Sequence, residues 1–137
     1  MSVLIDTSYL VAFASVRDAN HTIARLTSQA LTGNRIVPAP VLPEMFYMLN
    51  SRVNYATAMR MFRLTRTSAF QIETLTPDDM ARMDEIMAQY SGSQFDFVDV
   101  AIMALSERLK ITAVKRVDRR DFSTFKPAHA DYIELLP

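Results

Sequence analysis

Four acidic residues lie at positions where an acid could do chemistry. Asp6 directly follows a short apolar run, Glu44 opens an apolar helix, Asp99 lies among hydrophobic residues, and Asp118 closely follows another apolar run. A charge in such surroundings is costly unless something offsets it. Carboxylates that converge in one pocket repel each other, and a bound divalent cation is the usual remedy. The pattern therefore indicates a metal-dependent site, with Mg²⁺ or Mn²⁺ as the expected ion because these hard ions prefer oxygen ligands.

The elements that must position these acids alternate between strands and helices. Apolar runs bounded by turn residues predict five short strands, at 3–5, 35–37, 70–75, 111–114 and 132–136. Helical spacing predicts helices at about 8–16, 21–31, 43–52, 55–66, 77–90 and 96–109. Asn20, Asn54 and Thr76 are the expected N-caps, and Thr76 is followed by proline and then by acids, as in a capping box.

Short strands separated by helices predict the α/β class, with a parallel sheet of about five strands and helices on both faces. Ligands of such sheets bind beyond the carboxyl ends of the strands. Asp6 and Asp118 follow two of those ends, and Glu44 and Asp99 lie in the first turns of helices. The four acids can therefore meet at one edge of the sheet.

Composition limits the alternatives. A chain of 137 residues predicts a single domain over 1–137, and half of its residues are hydrophobic. The formal charge is zero, so the global field does not predict nucleic-acid binding, although a local basic patch is compatible with it. There is no cysteine, which excludes disulfides and thiolate metal sites. No apolar run reaches membrane-spanning length, and we expect a cytoplasmic protein without a membrane partner.

Each acid also has an ordinary structural explanation. Asp6 taken alone is better explained as the cap of the following helix, and Glu44 as an acid that complements a helix dipole. Asp96 is expected to be an N-cap that shares a helix face with Asp99, from which it could support a metal ligand. Asp99 is the hardest to explain by capping. If it belongs to a crowded acid site, its replacement by asparagine should cost the metal-free protein little stability.

Four segments, in this order, resemble those of PIN-domain proteins, and in particular the VapC-type toxins of bacterial and archaeal toxin–antitoxin pairs. The segments are Val3-Leu-Ile-Asp6-Thr7-Ser8-Tyr-Leu, Pro40-Val-Leu-Pro-Glu44, Asp96-Phe-Val-Asp99-Val-Ala-Ile-Met-Ala-Leu and Val117-Asp118-Arg-Arg-Asp121-Phe122. The terminal Tyr-Ile-Glu-Leu-Leu-Pro is similar to the last strand of the family. The likeness extends over nearly the whole chain.

The resemblance implies a small PIN-like domain that hydrolyses RNA with a divalent metal ion. Asp6, Glu44 and Asp99 match the core acids of the family, Asp118 matches its more variable fourth acid, and Ser8 matches a supporting hydroxyl. The resemblance also implies a homodimer and a cognate antitoxin. Arg116, Arg119 and Arg120, with Lys115, surround Asp118 and are candidate contacts for RNA phosphates.

One residue departs from the family pattern. The family commonly has threonine two positions before the fourth acid, whereas this chain has Arg116. A PIN-like binding or scaffold module without nuclease activity is therefore the alternative. Phosphoryl-transfer domains of the receiver or haloacid-dehalogenase type fit poorly, because no acid ends a central strand between Glu44 and Glu73, and Ser8 stands where a dehalogenase has its second aspartate.

Overall fold

The structure of the protein is a computed structural model that describes residues 1–29, 33–118 and 122–137. Its five strands are β1 (Ser2–Ile5), β2 (Asn34–Pro38), β3 (Gln71–Glu73), β4 (Ala113–Lys115) and β5 (Glu134–Leu136). They form one sheet in the order β3-β2-β1-β4-β5, and every pairing is parallel. The predicted α/β class and five-stranded parallel sheet are confirmed.

Six α-helices connect the strands in the described part of the chain: α1 (Thr7–Ala14), α2 (His21–Ser28), α3 (Val41–Arg52), α4 (Tyr55–Thr65), α5 (Pro77–Gln89) and α6 (Phe97–Leu109). The chain steps from β1 to β2 to β3 in one direction and then returns past β1 to β4. Because parallel crossovers are almost always right-handed, α1–α4 cover one face of the sheet and α5 and α6 cover the other. The longest of these helices have 13 residues, and none is long and apolar enough to cross a membrane.

The core consists of the central strand and the helices that cover it. Val3, Leu4 and Ile5 are all buried, as expected for a parallel strand that is covered on both faces. In α6 every residue from 98 to 107 is buried, so this helix is enclosed by the protein. The sequence order reverses between β1 and β4, and their carboxyl ends therefore border the crevice in which ligands of such sheets bind.

Most predicted elements are present, with shifted ends. Helix α3 begins at Val41, which places Pro43 in its first turn as predicted, and β3 is shorter than the predicted 70–75. Strand β4 begins at Ala113 because the Ile111 N–H is still bonded to the Ser106 carbonyl at the end of α6. The predicted last turn of α2 at 30–31 lies outside the described residues.

Asn20, Asn54 and Thr76 all occupy the predicted N-cap positions, but Asn20 makes no side-chain capping bond. Asn54 accepts the Thr57 N–H at 2.8 Å, and Thr76 forms a complete capping box with Asp79. Asn20 precedes α2, but its side chain makes no capping hydrogen bond. Instead, its own N–H donates to the carboxylate of Asp18 at 2.8 Å.

Asp79 should contribute stability that is lost in acid. It is 3% exposed and accepts hydrogen bonds from the Thr76 N–H at 2.9 Å and from Arg108 Nε at 2.9 Å. Burial pushes its pKa up, but these hydrogen bonds outweigh burial, so the pKa is lower than that of an ordinary aspartate. A lowered pKa stabilises the fold above the ordinary aspartate pKa, and the gain disappears as the pH falls through the folded pKa.

We therefore expect Asp79→Asn to lower the free energy of unfolding by about 1–3 kcal/mol near neutral pH. The difference between variant and wild type should shrink towards about pH 3. Urea unfolding at both pH values measures this, with the exposed Asp84→Asn on the same helix as the control. An equal difference at both pH values would contradict the prediction.

Candidate active site

Asp6 leaves the central strand at the crevice and begins α1. Its side chain is 3% exposed and accepts the Ser8 N–H at 3.3 Å, so it is the N-cap of α1. Its own N–H donates to the Lys115 carbonyl of the neighbouring strand at 3.0 Å. The capping explanation of Asp6 is therefore correct. Capping does not prevent Asp6 from also taking part in a functional site, because that role would use the part of the carboxylate that the cap leaves free.

Ser8 connects the ends of the two strands that border the crevice. Its hydroxyl donates to Asp6 Oδ2 at 2.7 Å. The Ser8 hydroxyl oxygen in turn accepts hydrogen bonds from the backbone N–H groups of Val117 at 3.2 Å and Asp118 at 3.4 Å. Ser8 therefore fixes the orientation of Asp6 relative to the segment that carries Asp118.

Asp96 and Asp99 form a capping box at the start of α6. Asp96 accepts the Asp99 N–H at 2.8 Å, and Asp99 Oδ2 accepts the Asp96 N–H at 3.2 Å. Asp96 is the N-cap, as expected. Asp99, the acid hardest to explain by capping, does have a capping role, because the third residue of a helix with an aspartate cap satisfies the N–H of the cap residue. Asp99 is 1% exposed, and its other oxygen points to a second partner.

That partner is Arg116, whose guanidinium lies among three of the predicted acids. Its Nε and Nη2 donate to the two oxygens of Asp118 at 2.7 and 3.0 Å. Its Nη1 donates to Asp99 Oδ1 at 3.0 Å and lies 3.8 Å from Asp6 Oδ2. Asp6, Asp99 and Asp118 therefore converge on one positive charge.

The guanidinium is enclosed as well as paired. Arg116 is 4% exposed, and its Cζ lies 4.6 Å from the centre of the buried Phe122 ring. Burial would lower the pKa of Arg116, but Asp6, Asp118 and Asp99 outweigh it, so the pKa is raised and the charge is permanent. The planar group is thus held between carboxylates at its edge and an aromatic ring at its face.

Glu44 approaches the same cluster from the start of α3. It is half-buried, and burial raises its pKa; the nearby Thr7 hydroxyl opposes the shift, whereas the charges of Asp96, Asp6 and Asp99 add to it. Among the described residues Glu44 makes no ion pair. The pKa of Asp6 is also raised, mainly by burial, with Arg116 acting against the shift. All four predicted acids therefore belong to one electrostatic cluster, which we call the acid cluster: Asp6, Glu44, Asp99 and Asp118.

The oxygen donors of the acid cluster are of the type that a hard divalent cation binds. Their positions in the described residues, however, do not form a site for such an ion. Carboxylate oxygens are the ligands that Mg²⁺ and Mn²⁺ prefer. However, in the ranges 1–29, 33–118 and 122–137 no three acidic or histidine residues are arranged so that they could hold a metal ion. Three of the acids are instead arranged around the guanidinium of Arg116.

The structure describes two of the four basic residues that were predicted to contact RNA. Arg116 lies inside the acid cluster instead of on the surface where RNA would meet it. Lys115 is 2% exposed, and its ammonium donates to the Pro137 backbone oxygen, so its assignment to a phosphate-binding patch was wrong. Arg119 and Arg120 lie outside the described residues.

Two residues that lie against the acid cluster or Arg116 were not predicted from the sequence. Thr7 is 2% exposed and places its hydroxyl next to Glu44, and Phe122 forms the surface beneath Arg116. The position of Thr7, directly after Asp6, was the available signal, because a residue that follows a strand end shares its edge of the sheet.

Known proteins resemble this chain over nearly its whole length. A family model for the PIN domain matches residues 3–126, a range that contains all of the acid cluster. Ribonuclease VapC26 of Mycobacterium tuberculosis is 21% identical over 135 residues, which cover 98% of this chain and 100% of that protein.

Solved structures show the same fold. The crystal structure of VapC20 from Mycobacterium tuberculosis, described as a sarcin–ricin loop cleaving toxin, superposes with a TM-score of 0.84 at 21% identity, covering 93% of this chain and 98% of that one. A toxin–antitoxin complex from Klebsiella pneumoniae superposes with a TM-score of 0.68 at 18% identity, covering 88% and 90% of the two chains.

Proposed function

Because the chain belongs to the PIN-domain family, we propose that it is a VapC-type toxin, an endoribonuclease that hydrolyses phosphodiester bonds of a structured RNA at the acid cluster. The observation that carries the proposal is the convergence of Asp6, Glu44, Asp99 and Asp118 at the carboxyl ends of β1 and β4. The names of VapC26 and VapC20 support RNA as the substrate class. The proposed catalytic domain extends over 1–137, because β5 completes the sheet beside β4.

Several side chains of this chain would prepare the reaction. Ser8 holds Asp6 in one orientation, and the capping box holds Asp99, so two buried carboxylates are fixed before substrate arrives. Fixed charges of this kind require little reorganisation during the reaction. Burial raises the pKa of both Glu44 and Asp6, so these two carboxylates are the candidates to exchange a proton closer to neutral pH.

The proposal includes a divalent cation, Mg²⁺ or Mn²⁺, held by Asp6, Glu44 and Asp99, with Asp118 as the fourth candidate and Asp96 as a support. Such an ion lowers the pKa of bound water and stabilises charge on a reacting phosphate. The hard oxygen donors of the acid cluster support this choice, and the ion would also offset the negative charge that repels RNA.

A groove beside the cluster offers a path for an RNA strand. It has a volume of about 240 Å³ and is lined by residues that include Ser8, Asp18, Arg52, Val117 and Asp118. Arg52 at the end of α3 supplies a positive charge for a backbone phosphate, and Ser8 and Asp118 connect the groove to the acid cluster. The neutral chain would thus bind RNA through local charges.

We further propose a cognate antitoxin partner, a homodimer and action in the cytoplasm, where RNA is available. The Klebsiella pneumoniae neighbour, a toxin–antitoxin complex, supports the antitoxin. Copurification with the product of an adjacent short gene tests the antitoxin. Light scattering of the purified protein tests the dimer.

The purified, antitoxin-free protein should cleave total cellular RNA in the presence of Mg²⁺ or Mn²⁺, and EDTA should abolish cleavage. Because structured RNA is the expected substrate, a hairpin with the sarcin–ricin loop sequence and an unstructured RNA of equal length should be tested side by side. Gel analysis with end mapping gives the cleavage sites. Intact RNA with both metals, across all of these substrates, would contradict the proposal.

One observation favours a second candidate, a PIN-like scaffold without nuclease activity. Arg116 already neutralises part of the acid cluster, as a structural ion pair would. The two candidates differ in the effect of Arg116→Thr: a nuclease restrained by Arg116 should cleave RNA more readily after the change, whereas a scaffold should stay inactive. The same RNA cleavage assay distinguishes them.

A further inference from the structure

The acid cluster has two sides that differ in charge. On one side Arg116 pairs with Asp118, Asp99 and Asp6 at distances of 2.7, 3.0 and 3.8 Å. On the other side Glu44 faces Asp6 and Asp99 and makes no ion pair with any described residue. Of the described residues, Arg116 is the cation paired with these acids, and Glu44 is the acid outside its ion pairs.

We propose that Arg116 is the resident cation of the Asp118 side: it withdraws Asp118 from the metal-binding set and competes with a divalent ion for Asp99 and Asp6. The proposal deepens the proposed function by naming which acids bind the ion and what limits its affinity. It requires that the cluster binds a divalent ion, but it does not require that RNA is cleaved.

The first part of the proposal, that Arg116 withdraws Asp118 from metal binding, follows from the geometry of Asp118. Both of its oxygens accept hydrogen bonds from Arg116, at 2.7 and 3.0 Å, in the two-pronged arrangement that guanidinium and carboxylate groups favour. A divalent ion on these oxygens would lie within a few ångströms of a permanent positive charge. The repulsion between them disfavours joint occupancy.

The second part, that Arg116 competes with the ion for Asp99 and Asp6, follows from the surroundings of Arg116. Arg116 is 4% exposed, and its guanidinium packs on Phe122 and also donates to Asp99, so it cannot leave Asp118 for solvent without losing several contacts. Asp99 Oδ1 is bonded to Nη1, and an ion that binds Asp99 must therefore weaken this bond. Binding of the ion and pairing with Arg116 are thus in competition.

Calorimetric titration with Mn²⁺ alone, in the absence of RNA, tests the competition. Arg116→Gln removes the charge and keeps hydrogen-bonding groups, and Arg116→Thr introduces the residue common in the family. Both variants should bind Mn²⁺ more tightly than wild type by about 10- to 100-fold, the range in which groups that contact metal ligands change metal affinity. Equal affinity of the wild type and both variants would overturn the proposal.

Asp118→Asn provides the sharper test. In the wild type it should change the Mn²⁺ affinity by less than about twofold, because Asp118 is not a ligand there. In the Arg116→Gln background the same change should weaken Mn²⁺ binding by about tenfold, because Asp118 has been released to the ion. An equal loss in both backgrounds would overturn the proposal, since Asp118 would then bind the ion whether or not Arg116 is present.

Arg108→Gln is the matched control. Arg108 pairs with Asp79 at 2.9 Å and with Glu73 at 2.9 Å, both outside the acid cluster. Its substitution should leave the Mn²⁺ affinity unchanged. Circular dichroism identifies any variant that fails to fold, and having two neutral substitutions at position 116 keeps the test decisive if one of them does.

The outcomes separate this proposal from the proposed nuclease function. Tighter Mn²⁺ binding by the Arg116 variants, without RNA cleavage by any of them, would support the competition and contradict the nuclease. RNA cleavage by the wild type, with the same Mn²⁺ affinity in all variants, would support the nuclease and contradict the competition. Absence of Mn²⁺ binding in every protein would overturn the competition.

Discussion

Replacing Asp6 with asparagine should reduce RNA cleavage by at least about a hundredfold, because charge stabilisation at a reacting phosphate contributes several kcal/mol and each 1.36 kcal/mol is a factor of ten. Asp6 is buried, is held by Ser8 and faces both Arg116 and Glu44. Asparagine retains an oxygen that can cap α1, so the helix start should persist. The loss should therefore reflect the charge of the site and not the fold.

Initial rates of cleavage of one labelled RNA, measured for the wild type and Asp6→Asn at saturating metal, give the effect. Asp84→Asn, an exposed acid-to-amide change on α5, is the control and should retain full activity. Glu44→Gln should also lose activity, and Ser8→Ala should lose less, because Ser8 acts through Asp6. Cleavage by Asp6→Asn within a few-fold of wild type would place the chemistry elsewhere.

The fold was predictable because each strand and helix is marked locally. The buried run Val3–Ile5, the box opened by Thr76 and the cap at Asn54 each follow from short-range sequence signals. The order of the strands was less accessible, because the pairing of β1 with β4 joins segments more than a hundred residues apart. Ends of elements were shifted wherever a hydrogen bond extended a helix, as at Ile111.

The proximity of the predicted acids followed from the sequence, but the contacts that they make did not. Strand ends share one edge of a sheet, and this was enough to bring Asp6 and Asp118 together. Position 116 was recognisable as unusual, but the direction of its side chain depends on its contacts with Phe122 and with the acids. The burial of Asp99 is not explained by capping alone, because its carboxylate satisfies a helix N–H with one oxygen and pairs with Arg116 through the other.

The pairing of Asp99 with Arg116 reverses an expectation about stability. A cluster of carboxylates alone predicts that Asp99→Asn relieves repulsion in the metal-free protein. With the guanidinium 3.0 Å away and both side chains 2% exposed, the same change leaves a buried positive charge with one partner fewer. We therefore expect Asp99→Asn to lower the free energy of unfolding by about 1–3 kcal/mol, and Arg116→Leu to lower it by about 3–5 kcal/mol, because it leaves Asp6 and Asp99 uncompensated.

The double variant Arg116→Leu/Asp99→Asn decides whether these losses come from the ion pair. If they do, the double variant should be more stable than the sum of the two single losses predicts, by about 1–3 kcal/mol, since each single change alone leaves a buried charge behind. Urea unfolding of the four metal-free proteins measures this coupling. The partly exposed pair Arg82–Glu85 on α5 is the control and should show a coupling below about 1 kcal/mol. Additive losses at Arg116 and Asp99 would mean that the two residues stabilise the fold separately, and that the cluster does not depend on the arginine as its resident cation.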